Sequence, residues 1–214
     1  ATPRPVALLL NAAHAVDHMF LLIFATAVAT IAADFGFPDW ESLMPYGVGA
    51  FLLFGLGSLP AGRLGDLWGR RRMMLVFFFG MGASALLVAV TRNAWELAAA
   101  LTLLGAFSSI YHPVGIPMLV RGATRPGLAI GVNGLAGNLG VAFAAVTTGL
   151  LVKYAGWRAA FAVPALLAIA CGVAFARVAP LELAPPAHGP RTPAAPDAPP
   201  LVRIFVVMTV AAIS

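Results

Sequence analysis

Charge is what this sequence has least of. Only 10% of its 214 residues are Asp, Glu, Lys or Arg, against about 25% in a soluble domain. Cysteine is nearly absent as well. Cys171 stands alone, which excludes an internal disulfide and any cysteine-based metal cluster. Lysine is reduced to Lys153, so the other basic side chains are all Arg. Period-2 alternation of apolar residues is missing, which argues against barrel strands. There is no phosphate-cradling glycine loop with its lysine, no nucleophile elbow and no pair of catalytic carboxylates. No enzymatic activity, cofactor or resident metal is therefore expected.

What fills the chain instead is hydrocarbon: 61% of the residues are hydrophobic and the mean hydropathy is +0.93. A soluble fold of this size cannot hide that much apolar surface, and disorder is excluded on the same grounds. The net charge of +5 and the pI near 10.4 fit loops beside an anionic membrane surface better than a nucleic-acid groove. Crossing about 30 Å of hydrocarbon takes roughly 20 apolar residues. Runs of that kind lie at Val6–Ala33, Leu43–Ala61, Met73–Val90, Trp95–Val120, Leu128–Val152 and Ala159–Val178. Residues 1–178 thus read as a six-helix all-α membrane bundle whose first helix serves as its own insertion signal.

From Ala179 to Pro200 the composition turns to Pro and Ala, with Pro180, Pro185, Pro186, Pro190, Pro193, Pro196, Pro199 and Pro200 favouring extended chain. A linker over 179–200 and the start of a seventh helix over 201–214 are expected. The loop charges sort by side. Arg4, Arg63, Arg70, Arg71, Arg72, Arg121, Arg125, Arg177, Arg191 and Arg203 fall on one side. Arg92, Lys153 and Arg158 fall on the other, with Asp34, Asp39, Glu41 and Glu96. The positive-inside rule puts the first side, and the N-terminus, in the cytoplasm.

Between the second and third runs stands Gly62-Arg-Leu-Gly-Asp66-Leu-Trp-Gly69-Arg70-Arg71-Arg72. Two glycines are expected to flank a tight turn there, with Asp66 one turn before three arginines. This segment resembles the signature loop of the major facilitator superfamily, G-x-L-a-D-r-x-G-r-k. Gly62, Leu64, Gly65, Asp66, Gly69, Arg70 and Arg71 fit it, and Leu67 departs where a basic residue is usual. The resemblance implies the N-terminal six-helix half of a twelve-helix transporter, with its C-terminal six-helix half beyond this sequence; the high Ala, Arg and Pro content points to a bacterial source, and so to the inner membrane. The resemblance also implies that Asp66 and Arg70 take part in a conformational latch with that second half, with Gly62, Gly69 and Arg71 completing the motif. Arg71 and Arg72 by themselves read as ordinary positive-inside charges.

The first helix carries Asn11, His14, Asp17 and His18. Helical periodicity sets Asn11, His14 and His18 on one face with Asp17 alongside. An ionised Asp at a helix centre costs about 2.5–3.5 kcal/mol on insertion scales, so such residues face a bundle interior or a wet cavity and tend to be functional. The alternative is a buried His–Asp hydrogen bond that locks packing. The fourth run holds Ser108-Ser109-Ile-Tyr111-His112-Pro113-Val-Gly115-Ile-Pro117. Pro113 and Pro117 each remove a backbone donor and should kink it. His112 then either serves transport or caps a freed carbonyl.

The His-x-x-Asp pattern together with a His-Pro in the fourth helix is similar to the fosmidomycin-resistance-type branch of the superfamily. In the family fold the first and fourth helices line the central pathway, which implies that His112 approaches Asp17 or His14. Leu101 stands where the family's usual fourth-helix Arg would fall, so a His–Asp pair would have to take over proton coupling, imidazole titrating near neutral pH.

In the fifth run Gly131, Gly134, Gly137 and Gly140 recur every third residue, a pattern that lets helices approach and slide. The family's antiporter motif is matched there only in part, since its Gly-Pro pair is missing. Asn133 and Asn138 read as interhelical hydrogen-bonding groups, Met73 and Met74 as lipid-facing or interfacial, and Met19 and Met44 as packing residues. Trp40, Trp68, Trp95 and Trp157 lie at helix ends, as interfacial aromatics do.

The expected activity is proton-coupled efflux of a small solute by alternating access, with Asp17, His14, His112, Tyr111 and Asn11 in the cavity. Two alternatives stand beside it: metal-ion transport through His14, Asp17, His18 and His112, whose side chains suit a transition metal, or a membrane assembly subunit that does not transport.

Overall fold

A computed structural model of the chain describes residues 2–180. The expected linker and seventh helix lie outside the described residues, apart from Ala179 and Pro180 at the linker's start.

The helices are α1 (Arg4–Asp34), α2 (Val48–Trp68, entered through a 3-10 turn at Met44–Gly47), α3 (Arg70–Ala89), α4 (Ala94–Ser108), α5 (Ile116–Val120), α6 (Pro126–Ala155) and α7 (Trp157–Val178). Between α4 and α5 a π-helical turn spans Tyr111–Gly115. Together α4, that turn and α5 make one span, so six segments are long and apolar enough to cross a bilayer. No strand occurs among the described residues.

Most helices outrun their apolar stretches, because backbone hydrogen bonding continues into the headgroup zone until a residue stops it. α2 continues past Ala61 to Trp68, so Gly62 and Gly65 are helical rather than part of a turn. The turn is made by Gly69 alone, whose φ of +93° would strain any residue with a side chain. Gly62 and Gly65 are small for another reason. A Cβ on Gly62 would lie 3.3 Å from Pro113, and one on Gly65 would lie 3.0 Å from Val114. On the opposite side, Asn93 caps α4 by accepting from the backbone N–H groups of Trp95 and Glu96 at 3.1 and 3.0 Å.

Helix α3 is central, packed on α4 and α7, whereas α1 packs on α6 and α7, and α2 on α4. The burial follows: 61% of α3's apolar window is buried, but only 11% of the Met44–Trp68 window and 22% of that of α6. This corrects the expectation for two methionines. Met73 and Met74 are 2% and 0% exposed, because α3 starts at Arg70 and its first full turn already lies inside the bundle. Met44, expected to pack, is exposed.

The two ends of the bundle separate the charges as the loops suggested. At one end the Thr2 hydroxyl donates to the Met118 carbonyl at 2.9 Å. There Arg71 also donates to the last carbonyls of α7, at 2.6 Å to Ala176 and 2.9 Å to Ala179. At the other end Arg158 meets Asp34 at 2.9 Å and the Thr91 carbonyl at 3.1 Å. Trp157 donates to the same Asp34 at 3.1 Å. Trp157 is consequently buried, while Trp40, Trp68 and Trp95 remain exposed at helix ends.

Candidate functional site

The polar side chains of α1 converge with those around the π turn. Pro113 and Pro117 cannot donate to the carbonyls of Ser109 and Pro113, and around Pro113 the chain widens into one π turn, from Tyr111 to Gly115. The kink expected from sequence thus takes the form of a π-bulge. It re-aims two consecutive side chains. Tyr111 turns inward and is fully buried, while His112 stays partly open to the unfilled side of the bundle. Gly115 makes room for this, since a Cβ there would come within 2.8 Å of the Tyr111 ring.

Asp17 is 0% exposed. One carboxylate oxygen, Oδ1, accepts a hydrogen bond from the Ser108 hydroxyl at the end of α4. The other, Oδ2, has no hydrogen-bond partner. His112 Nδ1 approaches it at 3.9 Å. The hydrogen bond that Asp17 makes across the interface is therefore to a serine, and its approach to a histidine, His112, is longer than a hydrogen bond. Ser108 opens the polar segment of the fourth run, and nothing local in the sequence marks it as the partner of Asp17.

His14 lies between α1 and α6. Its Nδ1 donates to the backbone carbonyl of Asn133 at 2.7 Å, which leaves Nε2 with a lone pair. His18, one turn on, then donates from its own Nε2 to that lone pair across 3.0 Å. The Tyr111 ring stacks on His14 with centroids 4.8 Å apart. His112 closes the group, its ring 5.1 Å from His14 and 5.6 Å from His18. His14, Asp17, His112 and Tyr111 are thus brought together, and His18 lies among them.

Asn133 ties the lower part of the cluster. Its amide nitrogen spends both protons, on Asn11 Oδ1 at 2.8 Å and on the Tyr111 hydroxyl at 2.7 Å. Tyr111 in turn donates to the Leu10 carbonyl at 2.8 Å. Interhelical hydrogen bonding, the role expected of Asn133, is what the geometry gives it, whereas Asn138 is exposed.

The glycines of α6 divide. A Cβ on Gly137 would lie 2.8 Å from the His14 ring, and one on Gly140 would collide with the Ala15 carbonyl. Gly131 and Gly134 meet nothing within 4 Å. The reason is geometric. At about 100° per residue, steps of three wind round the helix by roughly 60° each, so four such glycines cannot share one face. The buried stripe of α6 runs instead through Asn133, Gly137, Gly140, Ala144 and Thr148. Sequence reasoning also passed over Gly105, where a Cβ would collide with the Ala50 carbonyl of α2.

Beside Asp17 an apolar recess opens between α1, α2 and α4, walled by Phe20, Phe24, Phe51, Leu104 and Gly105, with Ser108 at its polar edge. Of the motif residues, Gly62 and Gly65 back onto the π turn at Pro113 and Val114, while Asp66 and Arg70 lie beyond them at the helix ends. Asp66, exposed, and Arg70, partly buried, face each other across the Gly69 turn at 3.5 Å, a long surface pair that contributes at most about 1 kcal/mol to folding.

Comparison with known proteins adds a family and three relatives. The family model of the Major Facilitator Superfamily matches residues 10–213. The chain is 31% identical to a puromycin resistance protein of Streptomyces alboniger, over 62% of this chain and 27% of that protein. It is 31% identical to the multidrug efflux pump LfrA of Mycolicibacterium smegmatis over 68% and 30%, and 28% identical to a probable hexose phosphate transport protein of Chlamydia pneumoniae over 70% and 33%. It spans about a quarter to a third of the length of these relatives.

Proposed function

The chain belongs to the major facilitator superfamily, a family of transporters, and on that premise we propose that it forms one wall of a proton-coupled exporter of a small solute. The observation that carries this reading is Asp17. It is a wholly buried carboxyl held at one oxygen by Ser108, with the other oxygen unpartnered and turned toward His112. An uncompensated negative charge in that position is costly, and intramembrane carboxyls of this kind mark proton and substrate pathways. A site of this kind can exchange a proton for a solute as it is exposed to one side of the membrane and then the other.

The adjoining apolar recess, about 20 Å³, is too small to hold a solute as it stands, so a solute would enter only once the helices around it move. Export is favoured over uptake by the relatives named for puromycin resistance and multidrug efflux. Asn11, Tyr111 and Asn133 hold α1, the π turn and α6 in register around the group. Asp66 and Arg70, at the cytoplasmic end in this reading, act as the latch with the second six-helix bundle. The N-terminus is cytoplasmic and the membrane is the bacterial inner one.

The test uses everted vesicles from cells producing the full-length protein, energised by an imposed pH gradient, with ethidium and puromycin as probes. Wild type accumulates a probe, and Asp17→Asn loses at least tenfold of the gradient-driven rate while eluting as a normal monodisperse protein in detergent. Unchanged gradient-driven uptake in Asp17→Asn removes Asp17 from the mechanism. Equal uptake with and without the gradient removes proton coupling.

A further inference from the structure

His14 and His18 stand four residues apart on α1, the spacing at which two imidazoles on one helix face bind zinc. The π turn adds His112 from another element. One ring nitrogen from each of the three lies within 4.8 Å of the others. Two features beyond proximity point to a ligand. The first is the hydrogen bond from His14 Nδ1 to the Asn133 carbonyl. It fixes the ring and its tautomer, as outer partners of metal-bound histidines do, and turns the Nε2 lone pair toward His18, whose proton now occupies it. The second is the unpartnered Oδ2 of the fully buried Asp17, 3.9 Å from His112 Nδ1. A carboxylate behind an imidazole orients it and offsets the charge of a cation on its far side.

From this arrangement we infer that His14, His18 and His112 form a binding site for one divalent transition-metal ion of the zinc class. Three imidazoles suit Zn²⁺, Ni²⁺ or Cu²⁺ and disfavour Mg²⁺ and Ca²⁺, which require oxygen ligands. Tetrahedral ligation with bonds of about 2.0–2.1 Å needs nitrogens about 3.3–3.4 Å apart. His14 and His18 are already at 3.0 Å. His18 and His112, both partly exposed, have room to turn inward. On binding, His18 moves its Nε2 proton to Nδ1, and the fourth position stays open on the side where these two rings are exposed. Position 15, where zinc peptidases carry a glutamate, is Ala15, so the ion has no hydrolytic base beside it. The site stands on its own geometry, whether or not the chain exports a solute.

The test is isothermal titration of the full-length protein, affinity tag removed, in detergent with Zn²⁺ and, separately, Mg²⁺. X-ray absorption at the zinc edge on the wild-type complex accompanies it. The expected result is one Zn²⁺ per chain, no Mg²⁺ binding, an imidazole-nitrogen shell, and at least tenfold weaker binding in each of His18→Asn and His112→Asn. Zinc affinity that is unchanged in the double variant, a shell without imidazole, or no binding by wild type each overturns the proposal. The absorption spectrum keeps the outcome decisive should a variant fail to fold.

Discussion

Asn133 is the residue whose loss should be felt most widely for its size. It links α1, the π turn and α6 through two amide protons and one backbone carbonyl. Asn133→Ala keeps the carbonyl but strands Asn11 and leaves Tyr111 without its donor. Side-chain hydrogen bonds between membrane helices are worth about 0.6 kcal/mol on average and up to about 1.7, so the variant should lose about 1–2 kcal/mol in reversible unfolding in detergent. Asn138→Ala, on the exposed face, should change little. Arg71 makes a separate case. Its guanidinium caps α7 through two carbonyls, a favourable place for a cation. Charge-assisted hydrogen bonds contribute about 1.5–3 kcal/mol when buried, and Arg71 is only partly so. Arg71→Ala should cost about 1–2 kcal/mol, and Arg71→Lys should recover only part of it, because a single ammonium cannot repeat the two-pronged contact. Arg72→Ala, exposed one residue along, is the control.

At the scale of elements, the contrast within α6 can be measured directly. Gly140→Val drives a side chain into the Ala15 backbone, which cannot yield without separating α1 from α6. Overpacking costs about 1–3 kcal/mol even where side chains can shift. Against backbone it should exceed that, and the variant should lose its folded fraction in detergent. Gly131→Ala should leave the isolated bundle's stability unchanged or raise it slightly, since the site is open and Ala favours helix. Equal damage at both positions would contradict the packing of α6 described above. The π turn makes a comparable demand. Pro113→Ala restores a donor to Ser109, and should draw the turn back toward α-helix and swing His112 away from Asp17. Loss of zinc binding with little change in stability would be its signature.

For the whole molecule, the arrangement of charges and the lone cysteine make orientation accessible. In a Cys171→Ala background of the full-length protein, with any further cysteines also replaced, Asp39→Cys should react with an impermeant maleimide added to intact cells. Arg125→Cys should react only after the membrane is opened. The reverse pattern would invert the topology that the arginines imply. The same scale explains why α2 and α6 bury so little of their apolar surface here. In a fold of two six-helix bundles, helices that are peripheral in one bundle are free to face lipid or the other bundle, and their exposed Leu, Val and Phe side chains suit either neighbour.

The six spans and the charged ends were legible in the sequence. Each depends on local quantities: twenty apolar residues in a row, a proline without its N–H, a glycine where φ must be positive, arginines kept out of hydrocarbon. The gathering of α1 histidines with the fourth-helix His-Pro was legible too, but only through likeness to a family fold. Tertiary structure alone decided who meets whom. Rotation by 100° per residue means that small changes in helix length or winding, such as the π-bulge before Gly115, reassign which side chains face inward. Asp17 therefore takes its hydrogen bond from Ser108 with His112 near its other oxygen, Asn133 became a three-way tie, Met73 and Met74 went from the edge to the core, and only Gly137 and Gly140 of the glycine series touch α1. Hydropathy fixes that a helix crosses the membrane. The direction in which each residue points is set by the helices packed against it.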